Sequence, residues 1–230
     1  MPLPLINVVN TAWRPELAYA VGLMASDGHL RPDNKQVSLV SKDRELIDLF
    51  RQAIALDKLP FRSGRGGTKL RNYWTLRFKS KNFHDFLVSV GVTPRKSKTI
   101  REVLVPDQYF ADFLRGLFDG DGTFWIWWDK RWPNAFGFTL GFSSASPLFV
   151  AWLKGRLTEM YGVKGYVHKG AGAFTIRYVK RDTRKLFVAM YHGGNSFYLS
   201  RKYNKIRTAL DFDEKLKHAR IAQRAAVAQW

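Results

Sequence analysis

Apolar and polar positions change period along this chain in a fixed order, and the order occurs twice. Two apolar stretches, Pro15–Gly28 and Pro106–Gly122, each begin with Pro and an acid and end at Asp-Gly. This punctuation predicts two helices, each entered through proline and left through a turn. Period-two alternation marks the strands. Trp74, Leu76 and Phe78 alternate with Tyr73, Thr75, Arg77 and Lys79 over 72–79. Over 173–180, Phe174, Ile176 and Tyr178 alternate with Thr175, Arg177 and Val179. In the same way Phe124, Ile126 and Trp128 alternate with Trp125, Trp127 and Asp129 over 123–129. Phe136, Phe138, Leu140 and Phe142 alternate with Gly137, Thr139 and Gly141 over 136–142. Each pattern predicts a strand with an apolar face against helices and an open face available to a ligand. A strand over 35–41 has no clear facing. Helices are expected at about 44–55 and 146–161, and a charged terminal helix after Asp211.

Further matches keep the same order. Val40–Leu46 parallels Phe142–Leu148, Thr75-Leu-Arg-Phe78 parallels Thr175-Ile-Arg-Tyr178, and Arg95–Ile100 parallels Arg201–Ile206. The repetition predicts an α+β fold of two pseudo-symmetric αββαββα repeats, residues 1–104 and 105–230, the second with a helical tail.

Composition narrows the class. Of 230 residues, 46% are hydrophobic and 15% aromatic, enough for a sizeable core and against wholesale disorder. No apolar run approaches the length of a membrane span, and Met1–Asn10 lacks the features of a signal peptide. Zero cysteines exclude disulfides, thiol catalysis and zinc fingers. A soluble intracellular protein is expected, in the cytoplasm or a DNA-containing organelle. The formal charge of +19 calls for a polyanionic partner, nucleic acid first. Its spread along the whole chain argues against a membrane surface.

The two motif helices carry the chemistry. Glycine inside a helix costs about 1 kcal/mol relative to alanine, so Gly22 and Gly116 need a reason. Small residues four apart, Gly22 with Ser26 and Gly116 with Gly120, allow two helix backbones to approach closely. Helices paired through those faces bring Asp27 and Asp121 side by side. Two carboxylates there repel each other, and each sits at the negative end of a helix dipole. Protonating one carboxylate, or binding a divalent cation, relieves this. Hard oxygen donors favour Mg²⁺, and a metal cluster beside a basic sheet points to phosphodiester hydrolysis. One Asp-Gly is an ordinary helix stop; two copies after matching Gly-bearing helices point to a site.

Ala20-Val-Gly-Leu-Met-Ala-Ser-Asp-Gly28 and Leu114-Arg-Gly-Leu-Phe-Asp-Gly-Asp-Gly122 resemble the two signature motifs of the LAGLIDADG homing endonuclease family. The similarity spans about Pro15 to Leu210, and the duplication within one chain resembles the family's monomeric members. The resemblance implies motif helices paired at the interface, antiparallel saddle sheets facing DNA, and a long, near-asymmetric double-stranded target. It also implies Mg²⁺-dependent cleavage leaving short 3′ overhangs, with Mn²⁺ able to substitute and Ca²⁺ supporting binding without cleavage. Asp27 and Asp121 are then the catalytic, metal-binding acids, with the Ser26 and Gly120 carbonyls as supporting ligands. Lys42 and Ser144, after the second strand of each half, correspond to residues that organise active-site water. Lys96 and Lys202 correspond to a basic residue before the last helix of each half. Asp119 replaces the first motif's Ala25 at a position that is not a family metal ligand.

Candidate DNA contacts are Arg31, Tyr73, Thr75, Arg77 and Lys79 in the first half, with Arg62, Arg65, Lys69 and Arg71 in a flexible basic loop over 62–71. The second half offers Trp125, Trp127, Thr139, Tyr166, His168, Thr175 and Arg177. Arginine pairs best with guanine, and an aromatic ring can meet a thymine methyl. The alternatives are a maturase, an RNA splicing cofactor of the same fold, and a non-cleaving DNA-binding protein. Retention of both aspartates favours cleavage, and the lack of a splicing cysteine argues against an intein.

Overall fold

A computed structural model describes residues 9–33, 35–65, 72–130, 135–170, 172–193 and 197–227. The first half runs α1 (Pro15–Ser26), β1 (Gly28–Arg31), β2 (Gln36–Ser41), α2 (Arg44–Ala53), β3 (Phe61–Arg65), β4 (Asn72–Lys79) and α3 (Lys81–Ser89). The second runs α4 (Phe110–Asp121), β5 (Gly122–Trp128), β6 (Phe136–Ser144), α5 (Pro147–Tyr161), β7 (Tyr166–Lys169), β8 (Phe174–Val179) and α6 (Lys180–Met190). A long α7 (Ser200–Val227) follows. It starts well before Asp211, so the terminal helix is longer than its charge pattern indicates.

Each half forms one antiparallel four-stranded sheet, ordered β1-β2-β4-β3 and β5-β6-β8-β7. Register settles the facing of β2. Val37 opposes Phe78 and Leu39 opposes Leu76, all buried, while Ser38 opposes Arg77 and Val40 opposes Thr75 on the open face. The matching pairs of the second sheet are Leu140 with Tyr178 and Phe142 with Ile176. Serine caps begin two of the covering helices: Ser80 accepts from the Phe83 amide and Ser146 from the Phe149 amide, each at 3.4 Å. Gly162, at φ 58°, ends α5 in the left-handed conformation that glycine tolerates best.

Helices α1 and α4 are buried along most of their length and pack against each other at the centre. A Cβ on Gly22 would lie 2.6 Å from the Leu117 amide nitrogen and closer still to the Phe113 carbonyl oxygen. One on Gly116 would lie 2.9 Å from the Tyr19 carbonyl carbon. Backbone meets backbone here, which is why both positions hold glycine.

A polar network absent from the sequence reading lies beside this seam. Arg115 is fully buried. It donates to Asp112 Oδ1 at 2.6 Å, to the Met190 carbonyl at 2.5 Å and to the Phe197 carbonyl at 2.6 Å. Asp119 accepts from Tyr19 Oη at 2.9 Å and from the Leu199 amide at 2.8 Å. The network ties α4 to α1, to the end of α6 and to the entry of α7. Asp119 therefore serves packing, and its departure from the first motif has a structural reason.

Two expectations of strand structure need correction. Residues 62–65 belong to β3, paired with β4, so the segment expected to be a flexible loop starts as a strand. Ile126 and Trp128 are 51% and 49% exposed rather than buried. They lie at the far end of an edge strand, where the only helix contact among the described rings is that of Trp128 with Phe212 of α7, edge-on at 5.9 Å.

Candidate functional site

Asp27 caps the C-terminus of α1 and Asp121 is the last residue of α4, and each is followed directly by the edge strand of its sheet. Close helix packing brings these ends together: a Cβ on Gly120 would lie 3.3 Å from Asp27 Oδ2. Asp27 is half-buried, whereas Asp121 opens into a crevice of about 390 Å³ lined also by Thr123, Arg201, Lys202 and Lys205. Burial, then the charge of Asp121, pushes the Asp27 carboxyl up to about 6. Burial also raises Asp121. Neither carboxylate makes a hydrogen bond or ion pair with another described residue.

Two buried lysines flank the acids yet bond to backbone. Lys96 Nζ donates to the Ser26 carbonyl at 2.7 Å. Lys202 Nζ donates to the carbonyls of Phe118 at 2.7 Å, Gly120 at 2.8 Å and Gly122 at 2.7 Å. Each lysine thus satisfies free carbonyls at a helix C-terminus and offsets its negative dipole. Burial pushes both ammonium groups down to about 8, against the pull of the nearby aspartates.

Among the described residues no three His, Cys, Asp or Glu side chains gather as a metal cluster. The donors at the seam are two carboxylates and two helix-end carbonyls, a set of hard oxygens that fits a cation such as Mg²⁺, which completes its shell with water and substrate phosphate. The Ser26 and Gly120 carbonyls already accept from lysines, so the carboxylates are the stronger half of this donor set.

No family model matches the sequence, and no curated protein does. Solved structures do match the folded chain. It is similar to the LAGLIDADG meganuclease I-AabMI bound to uncleaved DNA, with a TM-score of 0.59 over 90% of this chain and 92% of that one, at 12% identity. The chain has the LAGLIDADG fold. I-DmoI in complex with DNA and Mn matches with a TM-score of 0.53 over 81% of this chain and 100% of that one, at 18% identity. The N-terminal LAGLIDADG domain of DUF199/WhiA matches with a TM-score of 0.55 over 82% and 87%, at 12% identity. Homing endonucleases thus share the LAGLIDADG fold with DUF199/WhiA, and the fold alone assigns no activity. No helix among the described residues is long and apolar enough to cross a membrane.

Within the LAGLIDADG fold, ladder register places the candidate DNA contacts. On the first open face lie the rows His29–Ser38–Arg77, Arg31–Gln36–Lys79 and Val40–Thr75–Arg62, with Tyr73 opposite Gly64. On the second lie Gly141–Arg177–Tyr166, Trp125–Thr139 and Ser143–Thr175–His168. His29, on β1 beside β2, was missed because the facing of β2 was undecided; Ser38 beside it is 5% exposed and donates to the His29 carbonyl, so it is not presented to a ligand. Arg201 and Lys205 were also missed, although they stand one residue before and three after Lys202 on α7. Thr139 is buried at 4% exposure beneath the neighbouring tryptophans, so its hydroxyl is not presented to a ligand. The side chain of Arg65, and all of Lys69 and Arg71, lie outside the described residues.

One pairing, Lys42 with Ser144, is corrected by one register step, whereas Lys96 and Lys202 remain paired. Ser41 opposes Trp74 and Ser144 opposes Phe174. Their hydroxyls accept from the Asp43 and Ser146 amides respectively, each at 3.1 Å. Ser144 therefore corresponds to Ser41 and shapes a helix entry, while Lys42 is exposed and sits 5.8 Å from the Tyr73 ring. Lys96 and Lys202 both follow the third helix of their half, Lys96 in a short 3₁₀ turn and Lys202 in the first turn of α7.

Proposed function

We propose that this chain is a sequence-specific endonuclease of double-stranded DNA, with one active site at the seam between its halves. The observation that carries the reading is the pair of partly desolvated carboxylates, Asp27 and Asp121, without partners among the described residues, at converging helix ends beside two sheets with open faces. Structures of the same fold bound to DNA, with Mn in one and Ca in another, support it.

Asp27 and Asp121 would hold divalent metal, Mg²⁺ in the first instance, which when bound polarises the phosphate and lowers the pKa of water. The chain's own residues do the rest. The open faces of the two sheets fix the register of the duplex, the first through Arg31, Arg62, Arg77 and Lys79. The α1–α4 seam then sets where the backbone is cut. Arg201 and Lys205, in the crevice with Asp121, provide positive charge beside the scissile phosphate. Lys96 and Lys202 hold the helix ends, and hence the two acids, in place. Hydrolysis adds water across one P–O ester bond on each strand, leaving short 3′ overhangs. With a site and two unlike sheets in one chain, a monomer suffices for a near-asymmetric target.

Asp121→Asn tests this directly. Cleavage should fall at least about a thousandfold, in line with loss of a key electrostatic group, while binding in Ca²⁺ persists. A variant that still cuts at the wild-type rate would remove the proposed site.

A further inference from the structure

We infer that the two halves read duplex DNA by different chemistry, the first sheet through charge and hydrogen bonds and the second through apolar contact with thymine methyl groups. The inference rests on the DNA-binding reading above. The first open face presents Arg31, Arg62, Arg77 and Lys79, with His29. On the second open face Arg177 is the one Lys or Arg at the described strand positions, and the row Ser143–Thr175–His168 supplies the remaining polar groups at its other end. Its guanidinium lies 5.2 Å from the centre of the Trp125 ring, and its Nε is buried without a partner among the described residues.

The second face is instead aromatic. A Cβ at Gly141 would lie 2.7 Å from the Trp125 ring, and one at Gly137 would lie 2.6 Å from Trp127 Cζ2 and closer still to its Cε2. Both indoles therefore lie down on the bare backbone of β6 and roof over Thr139. Each glycine forms the seat of one ring. Trp125, Trp127, Tyr166 and Val179 remain 36%, 43%, 49% and 46% exposed. With Thr139 and Arg177, the three aromatic residues line a hollow of about 410 Å³. Exposed apolar surface of this kind marks an interaction site.

The major groove offers one apolar group, the thymine C5-methyl. Rings lying flat on a sheet make a floor rather than a slot. A floor suits the edges of stacked base pairs, whereas an unpaired base needs facing walls.

The test is a binding selection from a randomised duplex library in Ca²⁺, followed by replacement of each selected thymine with deoxyuridine, which removes only the methyl. Thymines should concentrate in one half of the site, and each replacement there should weaken binding about fourfold, the burial of one methyl group. Replacements in the other half should be silent. Trp127→Ala should abolish one or two of these penalties without changing the salt dependence; should that variant not fold, the scan with the wild-type chain stands alone. Equal penalties in both halves, none in either, or tighter binding to single-stranded thymine tracts would overturn the inference while duplex recognition stood. Loss of all specific duplex binding would instead overturn the underlying reading and this one with it.

Discussion

Asp27→Asn should make the metal-free protein more stable. A carboxyl raised from 3.8 to about 6 binds its proton more tightly in the folded state than in the unfolded chain. The folded state then holds more protons between those values, so this group's contribution to stability falls as pH rises from about 4 to about 6 and stays low above. The shift corresponds to about 3 kcal/mol at 1.36 kcal/mol per unit. Because Asp27 is only half-buried, solvent screening brings the expected gain for asparagine to about 1–3 kcal/mol at pH 7. Near pH 4.5 the gain should shrink, since wild-type Asp27 is then protonated. Lys96 and Lys202, pushed down to about 8, remain charged at both pH values and drop out of the comparison. Urea unfolding followed by tryptophan fluorescence in EDTA reads this out. Mg²⁺ at about a thousand times its Kd should reverse the order, since it then adds about 4.1 kcal/mol to the form that binds it. A variant less stable than wild type at pH 7 in EDTA, or a gain unchanged at pH 4.5, would refute the claim that burial, with the charge of Asp121 second, makes the Asp27 carboxylate costly at the seam.

The seam itself should be intolerant of volume: Gly116→Ala should cost about 3 kcal/mol or more in chemical unfolding, because its Cβ meets Tyr19 backbone that cannot retreat. Lys202→Met should destabilise by about 1–3 kcal/mol more than Lys96→Met, having three carbonyl bonds to lose against one; equal losses would mean the bonds to Phe118 and Gly122 contribute little. Arg201→Ala breaks an ion pair to Asp43 at 2.7 Å, but the arginine is 59% exposed, so thermal unfolding should register less than about 1 kcal/mol. Arg77→Gln should lower the slope of log affinity against log salt if Arg77 meets a phosphate, or relax preference at one base pair if it meets a base; a variant showing neither would take it out of the interface.

The helix–sheet order and the paired acids were legible because they depend on local signals: Pro at helix entry, Asp-Gly at exit, glycine at a backbone contact, and alternation in β4, β6 and β8. Features that depend on which surface meets which were not. The facing of β2 needed its register with β4, because Val37 and Leu39 are flanked by Ser38 and Val40, small residues that suit either face. The Ser41–Ser144 equivalence was obscured by Lys42, a chemically suggestive neighbour one step away. The repeated pattern of a serine two residues before a capping position could have shown it. Arg115 reads as surface on a helix but is fully buried, since Asp112 one turn earlier and two carbonyls from distant segments, Met190 and Phe197, converge on it. Ile126 and Trp128 alternate like core residues and are half exposed, since alternation says nothing of where the covering helices stop.

The most direct measurement is cleavage of a randomised duplex library with Mg²⁺ by wild type and by Asp27→Asn, with the recovered ends sequenced. Wild type should yield ends from one family of long, asymmetric sites with short 3′ overhangs, and the variant should yield none. No cleavage by wild type, or the same ends from the variant, would contradict a metal-dependent endonuclease centred on the two aspartates.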